Sequence, residues 1–291
     1  MRFLIPNQVR HWLFILVLLC TAGLVAWGSD RTAAPPAAGT KIAGQISAEA
    51  ADCSSLRVAT FNIHGGKGED DQRDLDRIAT TLQGFDLIAA QEVHGGSLVG
   101  SPDQAAILAN KLDLAWLYAP TERRWWSDAF GNALLTQFPI SRWERIPLPC
   151  TQGKAYRNAV VAEVQLGQTL VNVLFTHLDR HEDRETQLRE VIQLYRELPS
   201  PAILMGDLNT DRHDPLWAEL LEEPAVIDVL SQGDQAADNH LRIDWIVARG
   251  MEVVDAGVKD DGASDHPCYW AELRLPEDRV ARQPQETSPP Q

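Results

Sequence analysis

Several apolar runs in this chain end in, or are broken by, residues that a packed interior excludes unless they are used. Asn62 closes Ala59-Thr60-Phe61-Asn62, Glu92 sits in Gln91-Glu92-Val93-His94, and His177 and Asp179 close Thr176-His177-Leu178-Asp179. Asp207 and Asn209 follow in Gly206-Asp207-Leu208-Asn209-Thr210. Asp244 interrupts Ile243-Asp244-Trp245-Ile246, and Asp265 and His266 stand in Ser264-Asp265-His266-Pro267. Strand side chains alternate faces, so residues two apart point the same way. His177 with Asp179, and Asp207 with Asn209, can each present a pair to one cleft while Leu178 and Leu208 face the core. Carboxylates and amide oxygens are hard ligands that suit Mg2+ or Mn2+. A His held by an Asp works as a general base or stabilises an acid near neutral pH. Together these groups make a site where water displaces an oxygen at phosphorus.

Short strands and amphipathic helices must position them. Apolar density predicts strands over 56–63, 86–93, 114–119, 131–136, 141–148, 160–166, 171–177, 202–208, 242–247, 251–257 and 268–273. Helical spacing of Leu75, Ile78, Ala79 and Leu82, and of Leu188, Val191, Ile192 and Tyr195, predicts two helices, with a third over 105–112. A short helix begins with Asp214 as N-cap and Pro215 at the first helical position. The acidic run Glu69-Asp70-Asp71 reads as the start of the helix after the first strand. Mixed β and α without strict alternation points to an α/β (α+β) fold, a four-layer sandwich of two packed mixed β-sheets flanked by helices.

Taken in order, these strings resemble the endonuclease/exonuclease/phosphatase superfamily of DNase-I-like metal-dependent phosphoesterases, which includes nucleases, neutral sphingomyelinases and inositol-polyphosphate phosphatases. The resemblance runs from Thr60-Phe61-Asn62 to Ser264-Asp265-His266. Gly206-Asp207-Leu208-Asn209 and Ser264-Asp265-His266 are its most specific parts, with Gln91-Glu92 and Gly131-Asn132-Ala133-Leu134-Leu135 in support. It implies Glu92 as principal metal ligand with Asn62 beside it, and Asp265 helping to hold metal or to align His266. It implies that Asp207 orients or deprotonates the attacking water and that Asn209 holds a phosphate oxygen. His266, oriented by Asp244, would bond the phosphate or relay a proton, and His177 would be a second phosphate-facing group. The implied cofactor is Mg2+ or Mn2+.

Plainer readings compete at several positions. Asp244 and His177 can be buried polar residues with ordinary partners, and Asp207 and Asn209 can cap a turn. His64 and His94 read as loop residues, and Ser264 as a shaper of its turn. Arg123-Arg124-Trp125-Trp126 can stack on bases, sit at a lipid interface, or cover a sheet edge. Arg157, Arg180 and Arg184 either meet substrate phosphate or are solvated.

The 291 residues, 44% hydrophobic and 23% charged, have a globular composition. A formal net charge of −15 weighs against a broad basic face for duplex binding but leaves a metal-assisted nuclease open. Arg2 and Arg10 precede an apolar run over 12–27, so residues 1–28 read as a cleaved signal peptide or a retained anchor, and the domain as exported: secreted, periplasmic or membrane-anchored outside the cytoplasm. Residues 29–54 read as a flexible linker, 55–275 as one catalytic domain, and 276–291 as a disordered tail. Outside the N-terminal run, Cys53, Cys150 and Cys268 permit at most one intrachain bridge.

The resulting expectation is a hydrolase that cuts phosphodiester or monoester bonds by in-line water attack. Its partner is a phosphodiester substrate, either nucleic acid or phospholipid, with membrane association through the N-terminal segment and no protein partner evident. A lipid phosphodiesterase is the alternative to a nuclease-like enzyme. A non-catalytic, surface-tethered binding protein is a third reading, which predicts a missing catalytic group that this chain does not lack.

Overall fold

The chain opens with helix α1 (Asn7–Gly28), which is apolar, long enough to cross a membrane, and exposed from Gln8 to Val25. The computed structural model describes residues 7–28, 31–44, 54–96, 103–123, 130–151, 155–233 and 242–276. After α1 come β1 (Thr32–Ala33) and β2 (Ala37–Gly39), then β3 (Ser55–Asn62), α2 (Leu75–Leu82), β4 (Leu87–His94) and α3 (Gln104–Leu112). Strands β5 (Ala115–Pro120), β6 (Glu122–Arg123), β7 (Phe130–Thr136), β8 (Ile140–Pro147), β9 (Asn158–Leu166) and β10 (Thr169–His177) follow. Helix α4 (Arg184–Glu197), β11 (Ala202–Asp207), α5 (Pro215–Leu221), β12 (Ile227–Asp228), β13 (Asp244–Arg249), β14 (Glu252–Lys259) and β15 (Cys268–Arg274) complete the domain.

Two large sheets form, ordered β12-β13-β11-β10-β9-β8-β2 and β14-β15-β3-β4-β7-β5, beside a small β1-β6 ribbon. Each contains one parallel pair, β3 with β4 and β10 with β11, joined through α2 and α4 respectively. The other ladders in each are antiparallel. The sheets face one another across a core that includes Val58, Ala89, Leu134, Val173, Phe175, Met205 and Ile246. Outside the second sheet, Phe61, Ile78, Leu82 and Leu108 pack beneath α2 and α3. Outside the first, Leu188, Ile192, Leu204, Trp217 and Trp245 pack beneath α4 and α5. The result is a four-layer α/β sandwich. Central strands buried on both faces explain why the sequence shows continuous apolar runs there.

The predicted strands and helices all form, and every predicted strand boundary lies within two residues of the observed one. Asp214 caps α5, accepting from Leu216 N and Trp217 N. Two expectations fail. The acidic run at 69–71 precedes the helix, whose cap is Asp74, accepting from Asp76 N and Arg77 N; Asp70 instead takes a two-pronged bond from Arg77. The linker expected over 29–54 is partly built into the domain: β1 pairs with β6, β2 with β8, and Ala34 is buried. Small residues lie flat against a sheet edge as readily as they form a spacer, and composition does not separate the two. The tail expected over 276–291 falls outside the described residues beyond position 276, as does Cys53. Among the described residues Cys20, Cys150 and Cys268 are unbridged.

Candidate active site

The strand alternation decides which polar residues meet. On β3, Leu56 and Val58 point between the sheets while Ala59 and Phe61 point to the helices. Asn62 therefore continues the inter-sheet row. By the same parity His177 extends Val173 and Phe175, Asp207 extends Ile203 and Met205, and Asp244 precedes Ile246 and Ala248. Register places His177 opposite Asp207, and Asp207 opposite Asp244. The core thus ends in a polar layer at the carboxyl ends of the two parallel pairs, where open α/β sheets place their ligands.

Glu92 reaches this layer by a break in the pattern. On β4, Ile88 and Ala90 face the helices, so regular alternation would send residue 92 there too. A register shift between Ala90 and Val93 intervenes, and Glu92 takes a left-handed φ of 57°. Val93, not Glu92, then packs under the helices. A bulge that re-aims a side chain, held by a strained non-glycine backbone, is what functional positions tolerate and ordinary strand ends avoid. Gly206 has its own steric reason: a Cβ there would lie 2.0 Å from Thr176 O, at φ +145°.

Asn62 Nδ2 donates to Asp207 Oδ2 at 3.0 Å and to Glu92 Oε1 at 3.3 Å, while its Oδ1 accepts from His64 N at 3.1 Å. It bridges two carboxylates that would otherwise repel. His177 Nε2 is 3.3 Å from Asp207 Oδ2. Burial, then the nearby Arg157 and His266, hold His177 well below the ordinary imidazole range, so it is neutral. Asp207 is raised to about 7, first by burial and then by the Asp244 carboxylate. Its Oδ1 accepts from Asn209 N at 2.9 Å.

Asp244 Oδ2 and His266 Nδ1 are 2.8 Å apart. Burial alone would lower His266, but the hydrogen bond and charge of Asp244, helped by Asp207 and Asp265, outweigh it and raise the imidazole to about 9. Its Nε2 lies 3.9 Å from Asp207 Oδ2. Asp207, Asp244 and His266 offer ligand atoms within 4.8 Å of one another. They fit a metal poorly as a trio, because the Asp244–His266 bond uses one candidate atom from each and a protonated imidazole cannot ligate.

The remaining expected residues divide. Asn209 (φ 46°) donates from Nδ2 to Leu178 O at 3.0 Å, which leaves its second amide hydrogen for a ligand. Leu178 and Leu208 are buried in the core under α4. Asp265 is half exposed and 3.3 Å from His64 Nδ1, at the rim. Ser264 shapes that turn by donating to Asn62 O at 2.7 Å. Asp179 does not join His177: its carboxylate accepts from Arg180 N and Asp183 N and organises the entry to α4. Arg123 is an exposed residue of β6, and residues 124–126 lie outside the described residues.

The sequence leaves Arg157 undecided and reads His64 as a loop residue. Arg157 stacks 5.6 Å from the centroid of Phe130, and its Nε is buried without a partner. Phe130 lies 6.3 Å from the His177 ring. Arg157 feels the charges of Asp179, Glu92 and Asp207, yet forms no ion pair with them within the described residues. His64, with φ 47°, begins the tight turn at Gly65. His64 carries no local sequence signal because a turn, not strand parity, brings it to the site, and Arg157 stands just before β9, outside the strand.

Residues 59–266 match the sequence model of the endonuclease/exonuclease/phosphatase family. The chain belongs to that family. Solved endonuclease/exonuclease/phosphatase structures share its fold. One from Beutenbergia cavernae is 26% identical, covering 76% of this chain and 72% of that one at a TM-score of 0.61. A mannosyl-6-phosphatase from Bacteroides thetaiotaomicron is 20% identical, covering 76% of this chain and all (100%) of that one, TM-score 0.59. Sphingomyelinase C from Streptomyces griseocarneus is 18% identical, covering 76% and 99%, TM-score 0.51. Among curated proteins, a UPF0294 protein of Vibrio vulnificus is 32% identical over 102 residues, 34% of this chain and 36% of that protein. Protein cwh43 of Schizosaccharomyces pombe is 26% identical over 158 residues, 53% of this chain and 15% of that protein. The chain therefore matches only a minor part of these curated relatives.

Endonuclease/exonuclease/phosphatase proteins are typically phosphoester hydrolases and generally depend on a divalent metal. The donor set here fits such an ion. Glu92 and Asp207 converge on one neutral amide, with no basic side chain of the described residues paired to either except the neutral His177 and the His266 dyad. A hard divalent cation is the counter-charge that the Glu92 carboxylate, with the half-exposed Asp265 carboxylate at the rim, would take, leaving Asp207 beside it.

Proposed function

We propose that this chain is an exported, divalent-metal-dependent phosphodiesterase that works by in-line attack of water at phosphorus. The observation that carries the reading is the setting of Asp207: a buried carboxylate raised to about 7, between neutral His177, Asn62 and the His266–Asp244 dyad. A base that titrates near neutrality is matched to taking a proton from water.

Glu92, with Asn62 and Asp265 at the rim, would hold Mg2+ or Mn2+. Bound there, the ion supplies charge stabilisation at the phosphoryl and leaving oxygens. Asp207 takes the proton from the attacking water as its oxygen bonds phosphorus. The bond from phosphorus to the leaving oxygen breaks, and that oxygen ends protonated as an alcohol. His266, charged and fixed by Asp244 at Nδ1, presents Nε2–H to a phosphoryl oxygen. Asn209 offers its free amide hydrogen to another, and Arg157, whose Nε has no partner, brings its positive charge toward a third. His177 donates from Nε2 to Asp207 and keeps the base aimed.

The test uses the full chain with bis(p-nitrophenyl) phosphate and with supercoiled plasmid, in Mg2+ or Mn2+. Metal-dependent product release, lost with chelator and in Glu92→Gln, is expected with the small diester. Turnover that survives both, or a folded protein inert toward every phosphodiester, would sink the reading. The leaving group is a nucleic acid strand or a phospholipid moiety, and the N-terminal segment favours the second.

A further inference from the structure

The segment after α1 is fastened to the domain along β6. Thr32 and Ala33 pair with Arg123 and Glu122. Arg31 Nε donates to the buried Glu122 at 2.6 Å, Tyr156 Oη donates to Arg31 O at 3.1 Å, and Ala34 N donates to Thr121 O at 2.9 Å. From there the contacts run to the site. Thr121 donates from both N and Oγ1 to Phe130 O at 2.9 Å. The Phe130 ring lies 6.3 Å from His177, and Arg157, next to Tyr156 in the chain, stacks on it. Farther along, Arg145 donates to Pro35 O at 2.6 Å and Trp143 Nε1 to Lys41 O at 3.0 Å.

Helix α1 ends at Gly28, three residues before Arg31. Three Cα steps span at most about 11 Å. A free spacer over 29–54 would let the domain wander about 28 Å from the helix end; the strap removes that freedom. Residues Gln8 to Val25 of α1 are exposed, and a helix of this length and composition is able to cross a bilayer. Where that bilayer lies, Arg31 and the Tyr156 bonded to it are close by.

We propose that α1 remains in a bilayer and that the strap at 31–33 holds the catalytic mouth at its surface, where the substrate is a phosphodiester in a phospholipid headgroup of the adjoining leaflet. The substrate half rests on the phosphoesterase reading above. Water adds to phosphorus, one ester bond of the headgroup phosphate breaks, and the proton passes to the departing alcohol oxygen. A soluble polyanion would have to approach a domain whose chain carries a formal charge of −15, whereas a lipid in the same membrane is delivered by lateral diffusion.

The test reconstitutes the full chain in vesicles of phosphatidylcholine and phosphatidylglycerol, with and without twenty Gly/Ser residues inserted between Ser29 and Asp30. A fluorescent amino acid in place of Arg123 reports its distance from nitroxide-headgroup lipid. Release of phosphorus-containing product from the vesicles, and hydrolysis of added bis(p-nitrophenyl) phosphate, report turnover. Strong quenching is expected in the native chain. The insertion should lower both quenching and lipid hydrolysis at least fivefold and leave hydrolysis of the soluble diester within twofold. Absent quenching, quenching or lipid hydrolysis indifferent to the insertion, or loss of α1 from the active chain by mass would overturn the proposal. Quenching that behaves as expected with no hydrolysis of lipid or soluble diester would support the docking geometry and overturn the substrate half and the phosphoesterase reading together. Soluble-diester turnover without lipid turnover would overturn the substrate half alone.

Discussion

His266 Nδ1 and Asp244 Oδ2 stand 2.8 Å apart at the open end of the inter-sheet core, and the pair carries a proton through neutrality. Folding raises the imidazole from 6.5 to about 9. The folded state therefore binds the proton more tightly, and the stability this brings is present in full below 6.5 and lost as pH climbs toward about 9. We expect kcat/KM to fall on the alkaline side near pH 9. In Asp244→Asn that limb should move down by a unit or more and kcat should drop about 10²- to 10⁴-fold. A pH–rate profile and urea midpoints at pH 6 and 9.5 check both. An unmoved alkaline limb in Asp244→Asn would show that the dyad does not govern turnover.

Asp207 trades stability for chemistry. Its carboxyl is raised from 3.8 to about 7 by burial and by Asp244, so ionising it works against the fold, and stability is lost as pH rises through that range. Asp207→Asn cannot ionise. At pH 8 with chelator present, the variant should melt higher by about 2–5 °C, since roughly 1 kcal/mol moves a domain of this size by about 2–4 °C. Its kcat should fall about 10³-fold, as loss of a general base does. Calorimetry and initial rates on one preparation test both halves. A lower melting temperature would mean that its bonds to Asn62 and Asn209 outweigh the buried charge.

How much of this was legible beforehand follows strand parity. Asn62, His177, Asp207 and Asp244 continue regular alternation, so their convergence could be read from apolar neighbours two residues away. Glu92 could be located but not aimed, because its direction depends on a bulge that no residue at 90–93 announces. The inter-sheet pairing of Asp244 with His266 needed only two residues facing one cleft, whereas Asp265 next to His64 needed a turn through Gly65 with its own positive φ. The strap at 31–44 was hidden for another reason. Its hydrogen bonds come mostly from backbone, and backbone pairing leaves no mark on side-chain type.

Arg157 should act on binding of the phosphate more than on proton transfer, since it sits beside the site with its Nε unpaired and its charge only remotely compensated. Arg157→Ala is expected to raise KM for a small phosphodiester about tenfold or more with a smaller fall in kcat. Arg157→Lys should recover part of the loss, limited by the single-point geometry of an ammonium against a guanidinium fork. Inorganic phosphate should raise the melting temperature of the native chain and not of Arg157→Ala. A purely structural role would lower stability in both variants and leave the phosphate response intact.

The two possible metal sites make opposite predictions for one titration. If the ion is held by Glu92 and its neighbours, Glu92→Gln should weaken Mn2+ binding at least tenfold by calorimetry, the scale of losing a charged ligand. Asp265→Asn, altering a half-exposed rim carboxylate, should weaken it a few-fold. Asp244→Asn should leave it nearly unchanged, because the Asp244 oxygen nearest His266 is already bonded to the imidazole. If the ion instead sits among Asp207, Asp244 and His266, whose ligand atoms lie within 4.8 Å of one another, the order reverses. Asp244→Asn would then abolish the heat and Glu92→Gln would spare it. In that site the ion must also displace the dyad proton, so its binding would release about one proton and weaken steeply below pH 9. Binding at Glu92 releases far fewer protons from the dyad, and measuring Mn2+ heats in two buffers of different ionisation enthalpy separates the cases without any turnover.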